Sequence, residues 1–263
     1  MMRTLLVRGL LAGLVAGVLA TGFAYFFGEP SVDASISIEE AGTSAHGHEH
    51  SGPADTGHGH GHEEALVSRG TQSTIGLLTG VGAYALAVGG LFAIAFAVLH
   101  GRVGALRPRL TSALLAAGAF VVVVLVPFLK YPANPPAVGQ SGTIGDRTSL
   151  YFAFVALSLT VALIAVGAGH ALAGPLGAWR GGLLAMGAYV VVMAVAAALM
   201  PVIDEVPDGF PGSTLWTFRT ASLATQLVLW TALGLVFGAL AERVLRPGAA
   251  PAPAEAPAEA GRR

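Results

Sequence analysis

The sequence predicts an all-α integral membrane protein with about six transmembrane helices and both termini in the cytoplasm. Three observations lead there. The 263-residue chain is 54% hydrophobic and only 11% charged, where soluble domains hold about 25% charged residues. Its apolar residues gather into six long, nearly charge-free runs, the direct mark of membrane spans. Its arginines fall mostly on one side of those runs.

The hydropathy pattern sets the spans near residues 5–27, 74–99, 110–129, 150–172, 181–200 and 220–240. Each reaches about 20 residues, enough for roughly 30 Å of hydrocarbon. The first run has a second reading, as a signal peptide in which Arg3 and Arg8 precede an apolar stretch and Ala20 ends a small-residue cleavage site. A retained helix is favoured. The run continues to Phe27 and closes on Tyr25-Phe26-Phe27, an aromatic belt. Gly9, Gly13 and Gly17 recur at four-residue spacing, which opens one face to close approach by another helix.

Six spans with the N-terminus inside place ten basic residues in the cytoplasm: Arg3, Arg8, Arg102, Arg107, Arg109, Arg180, Arg243, Arg246, Arg262 and Arg263. Only Arg69, Lys130, Arg147 and Arg219 lie outside. That asymmetry fixes the direction. Acidic residues, not used to choose it, fall the other way, with twelve of fifteen in the outer loops. Such a surface concentrates divalent cations within about 10 Å, although loops must be polar in any case.

The spanning domain covers 1–246, with a long external loop at 28–73. The loop is rich in Gly, Ser, His and Glu, and its middle is expected to be disordered without metal. The tail at 247–263 is almost wholly Pro, Ala, Gly and Glu and cannot bury a core. The outer loops open with Pro30, Pro132 and Pro201 and close with Arg69, Arg147 and Arg219. This hints at a three-hairpin pseudo-repeat, though interfaces favour Pro and Arg anyway.

Six of the eight histidines stand within 17 residues: His46, His48 and His50, then His58, His60 and His62. Imidazole is the commonest protein metal ligand. Alternation puts the three imidazoles of each unit on one side of an extended strand, and the Gly-rich spacer lets both units face one ion. With Glu49, Glu63 and Glu64 they form a mixed nitrogen and oxygen set that suits cobalt, nickel, zinc or copper. Intrinsic affinity favours Cu and Ni over Co, so this loop cannot select cobalt by strength. Its flexibility suits capture more than a rigid centre. The plain alternative is a polar linker.

After the fifth span, Asp204, Glu205 and Asp208 are held between Pro201, Pro207 and Pro211. They form a candidate hard-cation vestibule, its loop stiffened by proline. Lys130 and Tyr131 in the matching segment read as interface anchors, with the lysine snorkelling. His100 and His170, at helix ends, read as dipole-compensating caps. Met186, Met193 and Met200 share one face every seven residues, which is ordinarily packing. Inside the spans the polar groups are Thr79, Tyr84, Ser158, Thr160, Tyr189, Thr225 and Gln226, with no charge at mid-depth. Ion paths usually show charge there, so transport needs backbone carbonyls or ligands from a partner.

Several functions drop out. Net charge −1 argues against nucleic acid, and the absence of Cys removes disulfides and thiolate sites. No Gly-rich loop ends in Lys-Ser or Lys-Thr, so that kind of nucleotide site is missing. No nucleophile–base pair suggests an enzyme.

The run Phe128-Leu-Lys-Tyr-Pro-Ala-Asn-Pro-Pro-Ala-Val-Gly139 and the run Glu205-Val-Pro-Asp-Gly-Phe-Pro211 resemble the CbtA family of probable cobalt transporter subunits. So do the opening from Arg3 to Pro30, Gln226-Leu-Val-Leu-Trp230, and Phe237-Gly-Ala-Leu-Ala-Glu-Arg243. The resemblance covers nearly the whole chain outside the His-rich loop and tail. It implies an integral component of bacterial cobalt uptake in the cytoplasmic membrane, with a small single-span CbtB-type partner that carries a histidine motif. The family settles no ligand residues, and the histidine cluster looks like an addition to its pattern. The leading expectation is a component that brings Co²⁺ inward. The rival is a membrane-anchored accessory that binds metal and hands it on.

Overall fold

No water inside a bilayer can satisfy a backbone N–H or C=O, and a helix bonds all of its own. The computed structural model, which describes residues 2–46, 68–102 and 106–245, is all-helical, with no strand among those residues. Six helices are long and apolar enough to cross a membrane: α1 (Met2–Phe27), α3 (Arg69–Leu99), α4 (Pro108–Lys130), α5 (Ile144–Leu176), α6 (Ala178–Leu199) and α7 (Gly212–Leu245). A further helix, α2 (Glu29–His46), follows α1 after a turn at Gly28.

The external loop expected at 28–73 is therefore helical in its first part. Pro30 reads as a loop signal, yet its fixed φ suits a first helical turn where no N–H is needed. Glu29 in that turn complements the helix dipole. Ser31 and Ser35 turn inward on one face and donate to the Gly28 and Ser31 carbonyls at 2.7 and 2.8 Å. Arg69, at the start of α3, bonds Glu29 and, at 2.9 Å, Asp33, which ties α2 to α3.

α5 and α7 have 33 and 34 residues, about 50 Å at 1.5 Å per residue. Hydropathy sees only the lipid-buried part; the hydrogen-bond ladder continues into water, so polar ends around Arg147 and Arg219 extend the helices. Gly177 alone separates α5 from α6, at φ +81°, a conformation costly for any residue with a Cβ.

Small residues decide which helices touch. Gly9, Gly13 and Gly17 of α1 lie directly on Ala85 and Gly89 of α3; a Cβ on Gly17 would stand 2.9 Å from that of Ala85. Gly238 of α7 meets α4, where a Cβ would come within 3.1 Å of Arg109 Cα, and the Ser112 hydroxyl donates to the Gly234 carbonyl at 2.7 Å. α1, α3, α4 and α7 thus enclose one core around Phe92, Phe96, Leu233 and Phe237. A second, smaller core of Phe154, Tyr189 and Met193 joins α5 and α6 to the later half of α4. Helix pairing keeps the first hairpin, α1 on α3, but cuts across the other two, since α4 packs on α7 and α5 on α6; the proline-opened loops do share one end.

α4 belongs to both cores, and between them it widens into a π turn at Phe120–Leu125. There the Ser158 hydroxyl donates to the Val122 carbonyl at 2.6 Å, which leaves the Tyr189 hydroxyl, 2.8 Å away, to donate to Ser158. Ser158→Ala should cost about 1–2 kcal/mol, because it orphans groups with no water nearby. Thermal unfolding in detergent reads this, and an unchanged midpoint would show that the network holds nothing together.

The two ends of the bundle differ in chemistry. At one end Arg8 donates to the Leu240 carbonyl and Arg109 pairs with Glu242. The start of α1, the start of α4 and the end of α7 thus share a face, as even-numbered crossing requires. Lys130, Arg147 and Arg219 gather at the other end.

Candidate functional site

The segments that follow α4 and α6 fold over each other at the arginine-poor end. Lys130 Nζ donates to the Met200 carbonyl at 3.0 Å, and the Tyr131 hydroxyl to the Pro201 carbonyl at 2.9 Å. Partial burial pushes the Tyr131 phenol up from its ordinary value, so it stays a neutral donor. Arg219 donates to Asn134 Oδ1 at 2.8 Å and to the Ala133 carbonyl at 3.3 Å. Arg147 pairs with Glu205 at 3.2 Å. Its guanidinium lies flat on Gly139, where φ is +118° and a Cβ would come within 2.9 Å of Arg147 Nη2. Only glycine leaves it that room.

These contacts enclose a cavity of about 360 Å³. Lys130, Arg147, Arg219, Thr148 and Tyr151 are among the residues that line it.

Inward of this cavity, polar side chains of three helices approach one another. Tyr151 of α5 reaches from the cavity toward the Tyr84 hydroxyl of α3, and Tyr84 faces the side-chain amide of Gln226 on α7. Gln226 Oε1 is buried with no hydrogen-bond partner among the described residues. It stands seven residues, hence about 10 Å, inward of Arg219 on the same helix face. Thr21 Oγ1 and Trp230 Nε1 are also buried and unpartnered.

The profile of the CbtA family, a probable cobalt transporter subunit, matches residues 2–242. The chain belongs to the CbtA family. No curated protein and no solved structure matches it. A CbtA chain is a multi-pass membrane protein whose subunit status implies both a partner subunit and a metal ion as cargo.

The predicted metal ligands of this CbtA chain fall into two groups. His46 ends α2; His48, Glu49, His50, His58, His60, His62, Glu63 and Glu64 lie outside the described residues. Asp204, Glu205 and Asp208 are described, but they do not converge. Asp204 is exposed and interacts with Arg219. Asp208 is exposed in the turn closed by the Phe210 N–H on the Pro207 carbonyl. Glu205 faces Arg147. Among the described residues no three His, Asp or Glu side chains gather to hold a metal.

Glu205 instead clamps the loops. The Thr143 hydroxyl, the Gln140 backbone N–H at 3.2 Å and the Arg147 charge together hold its carboxyl below the ordinary 4.5. A carboxyl depressed in the fold stabilises it fully above the unfolded value, and that contribution fades as pH falls through the folded value. Protection of the Gln140 amide from hydrogen exchange should therefore be constant down to about pH 4.5 and fall below it. Glu205→Gln should remove that pH dependence; the same profile in the variant would refute the clamp.

The remaining histidines and methionines have local roles. The His100 ring stacks on Phe96, with centroids 5.0 Å apart, while the His100 backbone N–H caps α3 on the Phe96 carbonyl. His170 sits inside α5 rather than at its end, with Nδ1 2.9 Å from the Val166 carbonyl. Met193 is buried in the second core while Met186 is 64% exposed, so the methionine stripe forms no site. Sequence reasoning missed Tyr151 and Thr21. Tyr151 was within reach, since it follows Arg147 by four residues and so shares its helix face.

Proposed function

We propose that this chain passes Co²⁺ from outside to the cytoplasm, across the cytoplasmic membrane of a bacterium, together with a partner subunit. The observation that carries this is the family match over residues 2–242. Beside it stand polar groups within the spans: Tyr84 and Gln226 face each other, and the Gln226 carbonyl oxygen is buried with no partner among the described residues. Neutral oxygens from Tyr84, Tyr151 and Gln226 suit brief coordination of a hard or borderline divalent ion. They are too few to strip its water shell alone. Tyr84 is 41% exposed at the side of the bundle, where a single-span CbtB-type partner can bring the ligands that these spans lack.

The histidine units at His46–His62, with Glu49, Glu63 and Glu64, serve as the external collector. Copper and nickel bind such donors more tightly than cobalt, so discrimination belongs to the path and the partner. The test is accumulation of radiolabelled cobalt in cells that express this chain with and without its partner subunit. Unchanged accumulation removes the transport reading.

One observation favours a non-transporting accessory that hands metal on: the neutrality of the polar groups within the spans. Replacing all six clustered histidines by alanine separates the two. A transporter keeps its maximal rate and needs several-fold more cobalt to reach it; an accessory loses its effect at every concentration.

A further inference from the structure

The cavity at the outer end is lined by charge of the wrong sign for a bare metal ion. Lys130 at the end of α4, Arg147 on α5 and Arg219 on α7 all border it, and among the described residues no carboxylate does. We propose that this cavity is an oxyanion site that holds a carboxylate or phosphate group between the three cations. The inference stands apart from the transport reading and does not depend on it.

The cations have donors to spare. The Lys130 ammonium carries three N–H groups and directs one to the Met200 carbonyl. Arg219 spends two of its five N–H groups on Ala133 and Asn134, which leaves three to share between Asp204 and a ligand. Arg147 gives Nη1 to Glu205, while its Nε is buried and has no partner among the described residues. A buried guanidinium N–H left unpaired is costly, and an anion is its natural complement, because the planar fork matches carboxylate and phosphate oxygens. Asp204 and Glu205 stand outside the lining, so they orient the arginines without filling the space between them. The Thr148 and Tyr151 side chains add neutral polar groups.

A cavity of about 360 Å³ falls at the lower end of the range for small-molecule sites, and a tricarboxylate or a phosphate headgroup fits it. Two sources can supply the same chemistry. One is a soluble oxyanion, including the carboxylate shell of a chelated metal; the other is an anionic lipid of the outer leaflet.

The experiment uses the full chain, metal-free, in nanodiscs of phosphatidylcholine, and measures equilibrium binding of radiolabelled citrate and of inorganic phosphate. A parallel preparation in phosphatidylglycerol nanodiscs is read by native mass spectrometry for retained lipid. Arg147→Gln removes one cation. Thr148→Glu, at an exposed helical position, keeps all three and places a competing carboxylate at the cavity wall, so it remains informative if the arginine variant fails to fold. Saturable citrate or phosphate binding that weakens at least tenfold in Thr148→Glu supports a soluble oxyanion. Retained phosphatidylglycerol that is lost in the same variant supports a headgroup. Binding equal in wild type and variants, or no anion held in either preparation, overturns the proposal.

Discussion

Gly13→Leu should unfold this protein in the membrane more effectively than any change to its outer loops. The glycine Cα lies against the Ala85 carbonyl and Gly89 of α3, so that an added Cβ would stand 3.1 Å from the Ala85 carbonyl carbon and 3.3 Å from Gly89 Cα. Backbone cannot yield as a flexible side chain can. The helices must separate, and the contacts of Ala12, Ala16, Ala85 and Phe92 loosen with them. Overpacking of this kind costs about 3 kcal/mol or more. For a chain of this size that lowers the thermal midpoint by roughly 10 °C. Gly22→Leu on the same helix is the control, because a Cβ there meets nothing within 4 Å. Equal melting of the two variants would show that close approach of α1 and α3 is not what holds the larger core.

Gln226→Leu should leave stability nearly unchanged and do the worse to transport. Its Oε1 is buried without a partner, a state that costs about 1–3 kcal/mol. A leucine of similar volume relieves that cost but forfeits the amide hydrogen bond to Tyr84, so the two offset and the variant should melt near the wild-type temperature. Cobalt accumulation should nevertheless fall at least tenfold, equivalent to about 1.4 kcal/mol on the barrier, because the proposed path loses a neutral oxygen. The split is diagnostic. A residue kept only for packing would lose stability and spare the rate; unaltered accumulation in a well-folded variant ends its role in the path.

How far the sequence discloses this molecule depends on the range of each interaction. The six spans were legible because lipid imposes one rule on about 20 successive residues. The tight seat of α1 was legible too, since Gly9, Gly13 and Gly17 repeat at helical spacing. α2 was hidden because Pro30 and a polar composition look like loop, although the first turn of a helix tolerates both. The candidate site was less readable. Glu205 sits with Asp204 and Asp208 in the chain, and adjacency suggested a shared role. In space it belongs to Arg147, Thr143 and Gln140, contributed by a distant loop. Tyr84, Tyr151 and Gln226 likewise come together from three helices, and no spacing rule links them.

The sharing of α4 between two cores has a mechanical consequence. The α5–α6 pair meets the larger core chiefly through the π turn at Phe120–Leu125 and the residues just beyond it. A π turn is a soft point in a helix ladder. The least costly large displacement is then a swing of that pair about α4 as a hinge pin. Because Tyr151 rides on the moving arm and Tyr84 and Gln226 on the fixed one, the same swing would part or close the gap between them.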